Sequence, residues 1–269
     1  MPVNMGSTST SGYLVTPTRP IRDNLQLFLD PADEKSYSGD TALKLEDLSG
    51  VNGPSGNDFS FANINNSDLL QSGYYNNFKF DGTNDYMSMT SNSFVNGSTG
   101  DFTIQMWVYR ISQIEETFFS KGNYSSGNAK AFSFGTTDTD QETTGTKLVC
   151  LIKPTNTFYA FATTSNLATG QWNNVAWAYS RTVSNNKLYI NGVSQSTTQT
   201  MGNSSNWSSA GTLSNPDVAV IGSILYGKPA SAWYASSSAI GPILFYNKLL
   251  DSTEILHNYR LHANRYGLT

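Results

Sequence analysis

The chain has 269 residues, 38% of them hydrophobic, and its 14 Phe, 15 Tyr and 5 Trp supply the apolar bulk for one sizeable β domain. Only 13% are charged and the formal net charge is −4 without any Lys/Arg run, which argues against a nucleic-acid surface. No stretch of about 18 apolar residues exists, so no membrane span is expected; the single cysteine, Cys150, cannot form an internal disulfide, and neither His257 nor His262 offers it a base.

Residues 1–24 form a polar, proline-containing segment, with Ser7-Thr8-Ser9-Thr10-Ser11 followed by Thr16-Pro17-Thr18-Arg19-Pro20. They are expected to be an extended N-terminal arm and assembly anchor, held by a neighbouring subunit or folded back on its own domain. The first fifteen residues lack the charged start and apolar stretch of a signal peptide, so synthesis in a cytoplasm without ordinary secretion is expected.

The globular domain is expected over 25–269. Leu25-Gln26-Leu27-Phe28-Leu29 reads as its first core strand, ended by Asp30-Pro31, and a long loop spans Asp33 to Gly56. Asn76–Phe80 and Tyr86–Met89 are strands joined by the turn Asp81-Gly82-Thr83-Asn84. Phe102–Tyr109 alternates strictly, which predicts a half-buried strand with Phe102, Ile104, Met106 and Val108 facing the core. Further strands are expected at Glu116–Lys121, Ala131–Gly135, Lys147–Ile152, Thr157–Thr163 and Trp172–Tyr179. Lys187–Ile190, the turn Asn191-Gly192 and Val193–Gln195 form a hairpin, and Asp217–Gly222 and Ala239–Tyr246 complete the set. One helix is expected near the C-terminus, capped by Asp251 or Ser252 with Glu254 near its third position. The fold class is therefore all-β, a two-sheet antiparallel jelly-roll sandwich with one short C-terminal helix.

The order of motifs resembles the laminin-G-like, concanavalin-A-like lectin/glucanase superfamily. The likeness runs over roughly residues 25–262, through Phe80-Asp81-Gly82-Thr83-Asn84-Asp85-Tyr86, Phe102–Val108, Phe119-Ser120-Lys121-Gly122, Gly170-Gln171-Trp172-Asn173-Asn174-Val175-Ala176, Lys187–Val193 and Ile243–Leu250. Leu25–Asp30, Tyr37-Ser38-Gly39, Asp47-Leu48-Ser49-Gly50 and Asn258 to Leu268 are similar to versions of this domain in tailed-phage structural proteins. The resemblance implies a virion structural protein: a capsid decoration, head fibre or tail component. Its implied partners are other virion proteins, copies of itself, and host-surface glycans, with no nucleic acid or membrane. The alternatives are a free carbohydrate-binding lectin and a glycoside hydrolase or lyase. An export-signal-free chain with a hydroxyl- and amide-rich surface fits location on a virion.

Related glucanases carry neighbouring acids alternating along one strand. Here Glu115-Glu116 opens a strand, and Asp33-Glu34 and Asp138, Asp140 and Glu142 fall in loops, so no catalytic residue is assigned and no enzyme activity is expected. Many relatives bind one Ca²⁺ through loop carboxylates. Asp81 and Asp85 are the candidate ligands here, with Asp138 and Asp140 a second pair, although Ile240-Gly241-Pro242-Ile243-Leu244 lacks the acids of the family pattern. A turn-stabilising role is the competing reading for Asp81. Trp207, Tyr226, Trp233 and Tyr234 are read as aromatics on polar loops, candidates for carbohydrate or partner contact. Trp107 and Trp172 are expected between the sheets or across strands, and Phe80, Tyr189 and Tyr246 in the core or at its rim.

Overall fold

A computed structural model describes residues 17–39, 44–51, 57–64, 68–72, 75–89, 100–122, 131–136, 145–154, 157–202, 207, 213, 219–226 and 231–268. Among them the fold is two antiparallel sheets stacked face to face, as the alternation predicts. Numbered along the chain, the first sheet runs in the order β14 (Val193–Ser194), β13 (Lys187–Ile190), β12 (Trp172–Tyr179), β7 (Phe102–Tyr109), β19 (Ala239–Tyr246), β5 (Tyr75–Lys79) and β4 (Leu69–Ser72). At the other end of β19, β1 (Leu25–Leu29) pairs beside Ile243–Tyr246. The second runs β15 (Thr197–Met201), β11 (Tyr159–Asn166), β10 (Lys147–Lys153), β9 (Ala131–Gly135), β8 (Thr117–Lys121), β16 (Ala219–Ile221), β6 (Tyr86–Met89), β3 (Phe59–Ala62) and β2 (Lys44–Leu45). A separate hairpin joins β17 (Ile224–Tyr226) to β18 (Ser231–Trp233).

The turn at Asn191-Gly192 shows why the hairpin forms there. Both residues are left-handed, with φ of 51° and 76°, which gives the type I′ geometry that matches the twist of paired strands. Between the sheets, Phe102 stacks on Tyr179 at 4.6 Å and on Phe245 at 5.4 Å, and meets Trp177 edge-on at 5.1 Å. The inward set Phe102, Ile104, Met106 and Val108 is fully buried, as the alternation requires.

The opposite face of β7 is buried too, which corrects the half-buried expectation. The cause is the C-terminal helix α1 (Ser252–Ala263), which lies across the outer face of the first sheet. Its start is a capping box: Asp251 accepts from the Thr253 and Glu254 amides, while Glu254 accepts from the Asp251 amide. Gln105 donates to the Ile255 carbonyl from below. Trp107 stacks against Tyr259 and meets Tyr266 at a tilt, and Tyr266 covers Trp172 at 4.2 Å. The two tryptophans therefore sit beneath the helix and the turn that follows it, outside the space between the sheets.

The described part of the expected arm, residues 17–24, folds back on its own domain. The Ile21 amide donates to Asn258 and its carbonyl accepts from the Tyr246 hydroxyl, while His257 meets the Arg19 carbonyl and Lys248 pairs with Asp23. Residues 1–16 of that expectation lie outside the described residues. The two chain ends are then clipped together: buried Asp30, just after β1, accepts two hydrogen bonds from Arg265 at 2.6 and 2.9 Å, with His262 at 3.6 Å.

The middle of the second sheet's outer face is also covered. Ala131, Val149, Leu151, Ala160 and Ala162 form a small-residue surface under Ile224. The hairpin is tied down by the Ser120 hydroxyl donating to Ser223 and by the Thr117 amide donating to the Tyr234 carbonyl.

Candidate functional site

Among the described residues, the acids weighed as catalytic candidates do not converge on a cleft. Glu116 is fully buried and spent on structure. One oxygen accepts from Arg110 Nε at 2.9 Å, and the other accepts from the Ser236 and Ser238 hydroxyls and the Ser237 amide. Arg110, equally buried, donates its remaining N–H groups to the carbonyls of Leu167, Ser112, Ile114 and Gly145. The ion pair thus holds four loops together and is engaged from every nitrogen of the guanidinium. Asp33 accepts from the Lys35 amide in its turn. Asp138, Asp140 and Glu142 lie outside the described residues. Strands β8 to β11, which make up the middle of the second sheet, carry no acidic residue at all.

The calcium candidates behave as turn residues. Asp81 Oδ1 accepts from the amides of Thr83, Asn84 and Asp85, and Asp85 Oδ2 accepts from the Asp81 amide. Burial raises the Asp81 carboxyl, but those three amides outweigh it and leave its pKa lowered; burial raises the Asp85 carboxyl. Calcium needs six to eight oxygens converging on one point. Here one oxygen of each carboxylate is already turned onto backbone amides. Among the described residues no three His, Cys, Asp or Glu side chains are grouped to hold a metal.

The aromatic candidates separate. Trp207 is fully buried, its Nε1 donating to the Ser180 carbonyl and its ring meeting Phe161 and Tyr179, so it offers no flat face to a ligand. This corrects the expectation of a contact residue. Polar neighbours in sequence suggested an exposed loop, but a Trp closing one end of the apolar core is the more stable placement. Tyr226 and Trp233 lie in the paired strands β17 and β18 and not on an open loop. Tyr234 follows them in a left-handed backbone (φ 49°) and is half-buried against the small-residue surface.

A different place collects free polar groups. The loop between β12 and β13, which contains a short 3-10 turn at Val183–Asn185, faces the Leu249–Asp251 segment before α1. Between them is a depression of about 210 Å³, lined by Ala178, Ser184, Asn185, Lys187, Tyr189, Leu249, Leu250 and Asp251. Its floor is Ala178, Leu250 and the Tyr189 ring, all buried; Ser184, Asn185, Lys187 and Asp251 stand exposed around it. The side chains of Ser184, Asn185 and Lys187 and the Tyr189 hydroxyl make no hydrogen bond within the described fold. Burial raises the Tyr189 phenol, and the Asp251 charge raises it further. Sequence reading placed Tyr189 in the core or rim and passed over the rest. The available signal was the polar run Ser184-Asn185-Asn186 between two strongly apolar strands.

The family model described as the concanavalin A-like lectin/glucanases superfamily matches residues 81–255. A comparison with curated protein sequences gives no match. Among solved structures, the binding domain of Paraclostridial Mosquitocidal Protein 1 is similar with a TM-score of 0.60 at 14% identity, over 92% of this chain and 56% of that one. A botulinum neurotoxin type C structure, described as entering cells dependent on interaction with two ganglioside molecules, gives 0.56 at 16% identity over 88% and 51%. A mutant Trypanosoma rangeli sialidase displaying trans-sialidase activity gives 0.56 at 14% over 91% and 34%. The chain spans about half or less of these proteins' lengths, and such identities speak to fold alone. With the family model covering well over half of the chain and the lectin-like jelly-roll sandwich in place, this protein belongs to the concanavalin A-like lectin/glucanases superfamily, in its laminin-G-like branch.

Proposed function

We propose that the chain is a non-enzymatic virion structural protein that displays its laminin-G-like domain for assembly contacts and for adhesion to host-surface glycans. The observation that carries binding over catalysis is the second sheet. Glycoside cleavage needs paired carboxylates, whereas β8 to β11 have none and their outer face lies under a hairpin. The toxin binding domain and the ganglioside-dependent neurotoxin structure of the same fold support the adhesion part. The particle part is supported by the leading and trailing segments similar to tailed-phage structural proteins, which Asp30 and Arg265 join into one unit. The ganglioside-linked neighbour also favours a second reading, a free lectin of the same fold.

Cosedimentation separates the two. The full chain and a chain lacking residues 1–16 are expressed in a cell producing particles, and the particles are banded on a density gradient. The full chain is expected in the particle band at a fixed copy number, and the shortened chain, folded by circular dichroism, in the soluble fraction. A full chain that never bands with particles refutes the virion assignment. The deletion stops at 16 because residues 19–24 are part of the folded domain.

A further inference from the structure

We infer that the depression between the β12–β13 loop and the segment before α1 binds the terminal pyranose residue of a glycan. The inference rests on the adhesion reading and gives it a location.

Size sets the first limit. At about 210 Å³ the depression is below the roughly 300–1,000 Å³ of sites for drug-sized ligands. It admits one ring, with any further chain leaving over the rim. Surface chemistry sets the second. A pyranose has an apolar C–H face and a belt of hydroxyls that each donate and accept. Ala178 and Leu250 supply an apolar floor, and the rim supplies a hydroxyl at Ser184, an amide at Asn185, an ammonium at Lys187 and a carboxylate at Asp251. A phosphate group would meet a single cation with a carboxylate opposite, and an acyl chain would meet a polar rim.

Tyr189 is the most telling member. A buried tyrosine ordinarily finds a partner for its hydroxyl. On the same face of the sheet, Tyr246 bonds to Ile21 and Asn258, and Tyr266 bonds to Asn77. Tyr189 has a buried ring and lines the depression, where its hydroxyl stays open to solvent and makes no hydrogen bond to the described fold, so it is available to a ligand. The frame is also fixed in advance. Ala178 and Tyr189 sit on paired strands, and Asp251 is held as the helix cap, so little order is lost on binding.

The test is a glycan array probed with the full chain, followed by calorimetric titration with the monosaccharide that best competes for the strongest hit. Asn185→Ala and Tyr189→Phe are each expected to weaken binding about tenfold, the loss of one well-placed hydrogen bond to the ligand. Ser184→Trp, which fills the depression, is expected to abolish it. Thr198→Ala, on the exposed part of β15, serves as the control and binds like the original. Thermal melts confirm that each variant is folded. If the chain binds a glycan and all three depression variants bind within twofold of it, the site is overturned while the adhesion reading stands. If the chain binds no glycan on the array, the adhesion reading fails and the site with it.

Discussion

Replacing Glu116 by alanine is expected to be among the most damaging single changes in the chain. The side chain is fully buried and satisfies four donors: Arg110 Nε, the Ser236 and Ser238 hydroxyls and the Ser237 amide. Removing one partner of a buried pair leaves the other charge uncompensated in a low-dielectric site, which costs about 3–5 kcal/mol. Water entering the vacated volume offsets part of the penalty of the three stranded serine groups, so their losses do not simply add. At about 2.1 cal/mol/K per residue of unfolding entropy, that loss lowers Tm by about 5–9 °C. Urea unfolding followed by tryptophan fluorescence measures it, with an unchanged slope showing that the folded state is otherwise intact. A loss under about 1 kcal/mol, the range of an exposed ion pair, would refute the reasoning.

Acid should loosen the clip between the chain ends. Burial alone would raise the Asp30 carboxyl, but His262 and Arg265 overcome it and hold it at about 2 against an ordinary 3.8. A depressed carboxyl stabilises fully above pH 3.8 and is lost as pH falls toward 2, about 2 kcal/mol in all. Burial lowers the His262 pKa despite Asp30, so the folded state resists its protonation and stability starts to fall as pH drops below about 6.5. Asp30→Asn should flatten the lower part of this curve in pH-resolved unfolding; an unchanged curve would remove Asp30 from the account. Trp207→Ala should cost about 3–5 kcal/mol as a fully buried ring is lost, yet leave glycan affinity of the folded protein unchanged in calorimetry. Gly222→Ala should cost about 1–3 kcal/mol or more by chemical unfolding, because φ is +84° and a Cβ would lie 2.4 Å from the Phe80 ring.

Period-two runs made the strands legible, because a side chain's face in a sheet follows directly from its parity. The same rule could not reveal what lies outside the sheet. Trp107 and Trp172 sit on a face that would have met solvent had α1 not crossed it, and the contact between them and Tyr266 is set by tertiary docking alone. Asp47-Leu48-Ser49-Gly50 was visible as a motif but not as a device. Asp47 accepts the amide of Phe28 from the edge of β1, while Asn57 donates to the same carboxylate. The helix cap at Asp251 was readable because a capping box is local. The depression at Tyr189 was not, since its walls come from segments roughly sixty residues apart in sequence, and no short-range pattern records their meeting. Trp207 failed for the opposite reason: local polarity around it said loop, and long-range burial decided otherwise.

The clip of Asp30 to Arg265 joins positions 235 residues apart, and among the described residues β1 pairs with β19 alone. A ribosome must therefore deliver nearly the whole domain before its opening strand has anywhere to go. Until α1 emerges, Trp107, Trp172 and their neighbours remain uncovered. A copy stopped short of α1 would display a sticky aromatic panel, so the domain closes over its own surface only once that helix has been made.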